Sequence, residues 1–152
     1  MTPRIPSTAP DAGTILAFDF GTRRIGVAVG ELSTGMAHPL TVVQDERGEA
    51  RFAAIAALVG EWRPARLLVG VPVHADGAEH AMTGRARRFA RQLEGRFGIP
   101  VIGVDERYTT RAAAQAMSDA GVPSRAQRGE HGKRDAVAAQ IMLQAWLDAR
   151  HD

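Results

Sequence analysis

Apolar positions along the chain recur with two different periods, and the alternation between them outlines a fold. Thr14 to Phe20 (TILAFDF) is almost continuously apolar, as expected of a strand covered on both faces. Gly21-Thr22-Arg23-Arg24 punctuates it, and Ile25 to Gly30 (IGVAVG) reads as the returning arm of a hairpin. Ala37 to Val43 is a third, weaker strand. Arg47 to Trp62 carries Phe52, Ile55, Leu58, Val59 and Trp62 at helical spacing, with Pro64 as its stop. Arg66 to Val71 (RLLVGV) is a fourth strand, followed by a loop over Pro72 to Glu79. In His80 to Phe97, Met82, Ala86, Phe89, Ala90, Leu93 and Phe97 share one side of a helix, with Arg87, Arg88 and Arg91 opposite. Gly98 and Pro100 end it. Val101 to Asp105 is a fifth strand, Thr110 to Ala120 a short helix, and Asp135 to Ala149 the last helix. Between the last two, the polar, glycine-bearing stretch Val122 to Arg134 reads as a mobile loop.

A meander of three strands followed by β-α-β crossovers predicts an α/β fold with a five-stranded mixed sheet. In it β1, β2 and β3 are antiparallel, β4 and β5 run parallel to β1, and about four helices flank the sheet. Ligands of such sheets bind beyond the carboxyl ends of the parallel strands. Residues 1–13, rich in Pro, Ser, Thr and Ala, read as a flexible N-terminal arm, and 14–150 as one domain. That fits a chain of 152 residues. No apolar run is long enough to span a membrane, and the arm lacks the apolar centre of a signal peptide, so a cytoplasmic protein is expected. With no cysteine, disulfide frameworks and thiolate metal sites are excluded.

Three acids stand where an acid is costly. Asp19 lies near the end of a strand otherwise made of Ile, Leu, Ala and Phe. Glu106, after Asp105, sits just past the fifth strand, at the same edge as Asp19 if the two strands are parallel. Asp135 opens the last helix, and at 100° per residue Ala138, Ala139, Met142, Trp146 and Ala149 lie within about 60° of it. Each acid has a plainer reading: Asp135 as an N-cap, Asp19 paired with Arg23 or Arg24, Glu106 paired with Arg107 or Arg111. Taken together they suggest a shared site. Clustered carboxylates repel unless a cation neutralises them, and hard oxygen ligands in an open site suit Mg²⁺ or Mn²⁺. A pair of such ions is the machinery of in-line phosphodiester hydrolysis.

The charge distribution agrees with a polyanionic substrate. Lys plus Arg is 19 and Asp plus Glu 17, a formal net charge of +2. Lys133 is the only lysine, and arginine barely titrates, which carries the isoelectric point to about 9.9. Arg85, Arg87, Arg88, Arg91, Arg96, Arg107 and Arg111 crowd one region, opposed only by Glu94, Asp105 and Glu106. Arg107, Lys133 and Arg134, adjacent to the acids, are the candidates for phosphate contact. A solvated helix face accounts equally well for Arg87, Arg88 and Arg91. Aromatic residues make up only 5%, so base-stacking platforms are not expected. Gly132-Lys133-Arg134 lacks the spacing and hydroxyl of a phosphate loop. His74 and His80 match no metal-ligand spacing.

Four segments in order, Ala17-Phe18-Asp19-Phe20-Gly21-Thr22 with Ile25-Gly26-Val27-Ala28, Val69-Gly70-Val71-Pro72 with Asp76-Gly77, Asp105-Glu106-Arg107 with Thr109-Thr110, and Lys133-Arg134-Asp135 with Ala138-Ala139, resemble the YqgF/RuvX family. That family is RuvC-like and has the RNase H fold. The resemblance implies a metal-dependent nuclease with Asp19, Glu106 and Asp135 as catalytic and metal-binding residues and Mg²⁺ or Mn²⁺ as cofactor. Thr22, Arg23, Arg107, Thr110, Lys133 and Arg134, within or beside these motifs, are expected to bind nucleic acid. It further implies maturation of the 5′ end of pre-16S rRNA, with RNA precursor or branched or single-stranded DNA as substrate and ribosomal particles as further partners. The protein would be a monomer or homodimer. Where the family usually has Val-Asp-Ser in its last motif, this chain has Arg134-Asp135-Ala136, so the acid is kept and the serine is not.

Other readings remain open at this stage. A Holliday junction resolvase or DNA-repair nuclease would use the same acids. An actin-like or sugar-kinase-like ATPase also carries D-x-G-T but needs two such domains. A non-catalytic RNA-binding protein would use the arginines alone, yet has no reason to bring three acids to a phosphate backbone.

Overall fold

Strand β1, Thr14–Phe20, forms where the sequence is apolar on both alternating faces, and its inner residues are buried accordingly. Seven residue pairs join it antiparallel to β2, Arg24–Glu31, from Phe20 opposite Ile25 to Thr14 opposite Glu31. Strand β3, Met36–Gln44, pairs antiparallel with β2 and contains Pro39, which an edge strand tolerates. Strand β4, Arg66–Val71, lies parallel to β1 on its other side, and β5, Val101–Asp105, parallel to β4. The order across the sheet is β3-β2-β1-β4-β5. The computed structural model describes residues 13–21, 23–44, 48–72, 81–105 and 131–150.

Helices α1, Glu49–Trp62, and α2, Ala81–Phe97, cover one face of the sheet. Helix α1 stops at Arg63, whose φ of 46° lies in the left-handed region, with its N–H donating to the Val59 carbonyl at 2.8 Å, directly before Pro64. On that face Leu16, Phe18 and Phe20 of β1 meet Phe52 and Ile55 of α1 and Phe89 and Leu93 of α2. Arg87, Arg88 and Arg91 lie on the solvent side of α2, as the spacing predicts.

Helix α3, His131–Arg150, covers the other face. It begins four residues before the Asp135 start read from the sequence, so residues 131–134 of the expected loop are helical and Asp135 is not an N-cap. Its buried stripe is Ala136, Ala139, Met142, Leu143 and Leu147, while Ala149 is exposed and Ala138 only partly buried. The core-facing direction is thus turned by about 60° from the one centred on Asp135. This second core also takes in Ile15, Ala17, Ala28 and Leu68. These are the three helices among the described residues; the fourth expected helix, over 110–120, the arm over 1–12 and the rest of the expected loop lie outside them. None of the three is long and apolar enough to cross a membrane.

Candidate active site

Side chains alternate across a strand, so residues two apart share a face. Ile15 and Ala17 pack into the α3-side core and Phe18 and Phe20 into the other, which puts Asp19 on the α3 side at the carboxyl end of β1. Both of its cross-strand neighbours are glycines, Gly26 on β2 and Gly70 on β4. The partly buried carboxylate therefore has side-chain-free backbone on either flank.

Gly26 also admits the helix. A Cβ built at that position would collide with the Asp135 carbonyl group and lie 3.1 Å from the Ala136 nitrogen, so α3 rests backbone to backbone on β2 there. Four residues along, a Cβ on Gly30 would stand 2.9 Å from Leu143 Cδ2 and 3.2 Å from Leu147 Cδ1. Gly26, Ala28 and Gly30 form the small-residue track on which α3 lies. Asp19 and Asp135, 116 positions apart in the numbering of the chain, are thereby placed on either side of one glycine.

Asp135 accepts a charge-assisted hydrogen bond from Arg24 Nε at 2.6 Å, with both side chains 31% exposed. Arg24 opens β2 and shares the inward parity of positions 26, 28 and 30. Sequence reading offered Arg24 as a partner for Asp19; it holds Asp135 instead, and the parity of β2 is the signal that pointed to it. Arg23 is exposed beside it, and Arg134, one step before Asp135 on α3, is partly buried. Thr22, Glu106, Arg107, Thr110 and the side chain of Lys133 lie outside the described residues. Asp105 ends β5 on the α2 side, beside Val71, Arg87 and Arg91, and so faces away from Asp19.

Among the described residues no three acids or histidines come together as a metal cluster. Two of the three expected ligands do meet the donor requirement: oxygen-only groups on one face, at the strand edge, with open backbone beside one and a guanidinium already drawn to the other. That donor set suits a hard divalent cation.

A sheet ordered β3-β2-β1-β4-β5 with only β2 antiparallel to its neighbours, helices on both faces and an acid ending the central strand is an RNase H-like fold of the RuvC type. The solved structure of Thermus thermophilus RuvC in complex with Holliday junction substrate superposes with a TM-score of 0.53 at 21% identity, covering 91% of this chain and 96% of that one. Fowlpox virus resolvase, solved with its substrate Holliday junction DNA, gives 0.57 at 8% identity, covering 91% and 99%. The chain belongs to the RuvX family, described as Holliday junction resolvase, whose profile matches residues 13–149. Relatives from Nitrosospira multiformis, 48% identical over 145 residues (95% of this chain, 94% of the relative), and Nitrosomonas europaea, 51% identical over 144 residues (95% and 95%), both bear the name "Putative pre-16S rRNA nuclease".

Proposed function

We propose that this protein is a nuclease that hydrolyses phosphodiester bonds with the help of divalent cations and acts in 5′-end processing of pre-16S rRNA in the cytoplasm. Family membership and the name shared by its relatives support the nuclease activity and the nucleic-acid substrate. The observation that carries the mechanism is the juxtaposition of Asp19 and Asp135 across Gly26 on the α3 face.

Asp19, Asp135 and Glu106 would hold Mg²⁺ or Mn²⁺. The resemblance of the Asp105-Glu106-Arg107 segment to the family motif supports Glu106 as the third ligand. When bound, the ions supply the positive charge that makes water acidic enough to attack and stabilises the leaving oxyanion. Asp19 is fixed by a strand paired on both sides and needs no reorganisation to act. Arg24 offsets the charge of the Asp135 carboxylate and would give way to a cation there. Thr22, Arg23, Arg107, Thr110, Lys133 and Arg134 would hold the phosphate backbone. The likeness to resolvases and the family description favour a second reading, cleavage of four-way junctions, with the same acids.

Both readings are tested on the purified chain with pre-16S 5′-leader RNA, single-stranded DNA and four-way junctions, in Mn²⁺, in Mg²⁺ and in EDTA. Asp19→Asn should abolish cleavage with folding and nucleic-acid binding kept, and EDTA should stop the wild type until a divalent ion is restored. Cleavage by Asp19→Asn at the wild-type rate, or activity persisting in chelator, overturns the mechanism.

A further inference from the structure

Between the start of α1 and the outer side of α2, on the face opposite α3, lies a groove of about 460 Å³. Arg51, Arg85, Arg88 and Arg96 line it, with Glu49 as the one carboxylate among the described lining residues. Glu49 is already committed, since Arg96 Nη1 and Nη2 donate to its two carboxylate oxygens at 3.2 and 2.7 Å. Among the described residues no carboxylate pairs with Arg85 or Arg88. Arg85 and Arg88 thus bring positive charge to the groove without a carboxylate partner among the described residues, and a polyanion would supply the opposite charge.

Two of the guanidiniums are preordered by the floor. Arg51 stands 5.0 Å from the Phe52 ring centroid and 5.4 Å from that of Phe89, and Arg96 stands 4.0 Å from Phe52. Stacking on a ring fixes the plane of the fork. The phenylalanines beneath are themselves buried, Phe20 to 8% exposure, Phe52 to 4% and Phe89 to 1%. Among the described residues the groove therefore offers the guanidiniums of Arg85 and Arg88 for phosphate and no exposed aromatic face on which a base could stack.

Phe20, in the groove floor, is the next residue after Asp19. Strand alternation sends the two to opposite faces at the same edge of the sheet, with Cα atoms about 3.8 Å apart. We propose that this groove is a second phosphate-binding subsite, gripping the backbone of the nucleic-acid strand where it passes over the sheet edge from the Asp19 site. The proposal deepens the nuclease reading and rests on it for what occupies the other side of that edge.

The test is fluorescence anisotropy of a labelled mixed-sequence single-stranded RNA with the full-length chain in EDTA, titrated at several salt concentrations. Arg85→Gln/Arg88→Gln replaces two exposed side chains, and circular dichroism checks its fold. It should bind about tenfold more weakly, with the slope of log affinity against log salt reduced by about 0.7 for each arginine that meets a phosphate. Glu49→Gln, which removes a negative charge from the groove, should bind more tightly. The control is Arg87→Gln/Arg91→Gln, the same charge change on the other flank of α2. Unchanged affinity and slope in the first variant, or equal losses in both doubles, overturns the subsite. Because these arms measure binding without cleavage, they decide the groove even if the Asp19→Asn experiment overturns the nuclease mechanism.

Discussion

Arg24 and Asp135 meet at 2.6 Å while each keeps 31% of its side chain exposed, so the pair is neither a free surface contact nor a sealed one. A pair of that kind contributes roughly 0.2–1 kcal/mol. Arg24→Gln should therefore lower the melting temperature in EDTA by about 1–4 °C. Because a divalent ion no longer competes with a guanidinium for Asp135, adding Mn²⁺ should raise the melting temperature more in Arg24→Gln than in wild type. A smaller Mn²⁺ shift in the variant would mean that Arg24 builds the cation site instead of filling in for the cation. The Glu49–Arg96 fork makes a separate prediction about pH. The hydrogen bonds and charge of Arg96 hold the Glu49 carboxyl below its ordinary value of 4.5. A group with a depressed pKa in the folded state stabilises it above the unfolded-state pKa and loses that effect as pH falls through the folded value. The difference in urea midpoint between wild type and Glu49→Gln should accordingly be present at neutral pH and vanish with acidification below 4.5. Both side chains are exposed, at 38% and 81%, so the difference should be small and should shrink further in high salt.

At the scale of elements, the seat of α3 on β2 sets where Asp135 lies relative to the strand end that carries Asp19. At Gly26 the obstruction to a Cβ is the α3 backbone itself, which cannot rotate aside, whereas at Gly30 the nearest atom is the tip of a leucine. Gly26→Ala should cost about 3 kcal/mol, the upper end for overpacking, and Gly30→Ala about 1 kcal/mol, both read from urea unfolding. Gly26→Ala should also weaken Mn²⁺ binding in calorimetry, because the helix that carries Asp135 must lift; equal effects of the two variants would refute that placement. The strands were legible in the sequence, with β1, β4 and β5 bounded as read, because burial on both faces leaves unbroken apolar runs between Gly and Pro. The start and roll of α3 were not. His131-Gly132-Lys133-Arg134 reads as loop by composition, yet it forms the first turn of the helix that meets β2 at Asp135 and Ala136. Ala138 and Ala149 count as apolar in a periodicity, yet they offer little surface to bury, and it is Leu143 and Leu147 that set which side faces the sheet.

At the scale of the molecule, the sheet separates two cores that share no side chain among the described residues, one under α1 and α2 and one under α3. Sequence alone revealed the cost of Asp19 in an apolar strand and offered Asp135 as its companion, but not the approach of α3 to β2 at Gly26, because that approach depends on packing between elements. The arginine groove was hidden for a similar reason. Arg51 belongs to α1 and Arg85, Arg88 and Arg96 to α2, and only packing over shared phenylalanines brings them together. If the protein binds cations as proposed, a two-core architecture makes stability and cation binding separable. Leu93 on α2 and Leu143 on α3 are both fully buried, so truncating either to Ala should cost about 2–5 kcal/mol. Only Leu143 lies in the core that seats the helix bearing Asp135. Leu143→Ala should therefore weaken Mn²⁺ binding severalfold under conditions where circular dichroism shows both variants folded, while Leu93→Ala, equally destabilised, should bind Mn²⁺ as wild type does. Matched losses of cation affinity in the two variants would show that the site depends on overall stability and not on how α3 lies against β2.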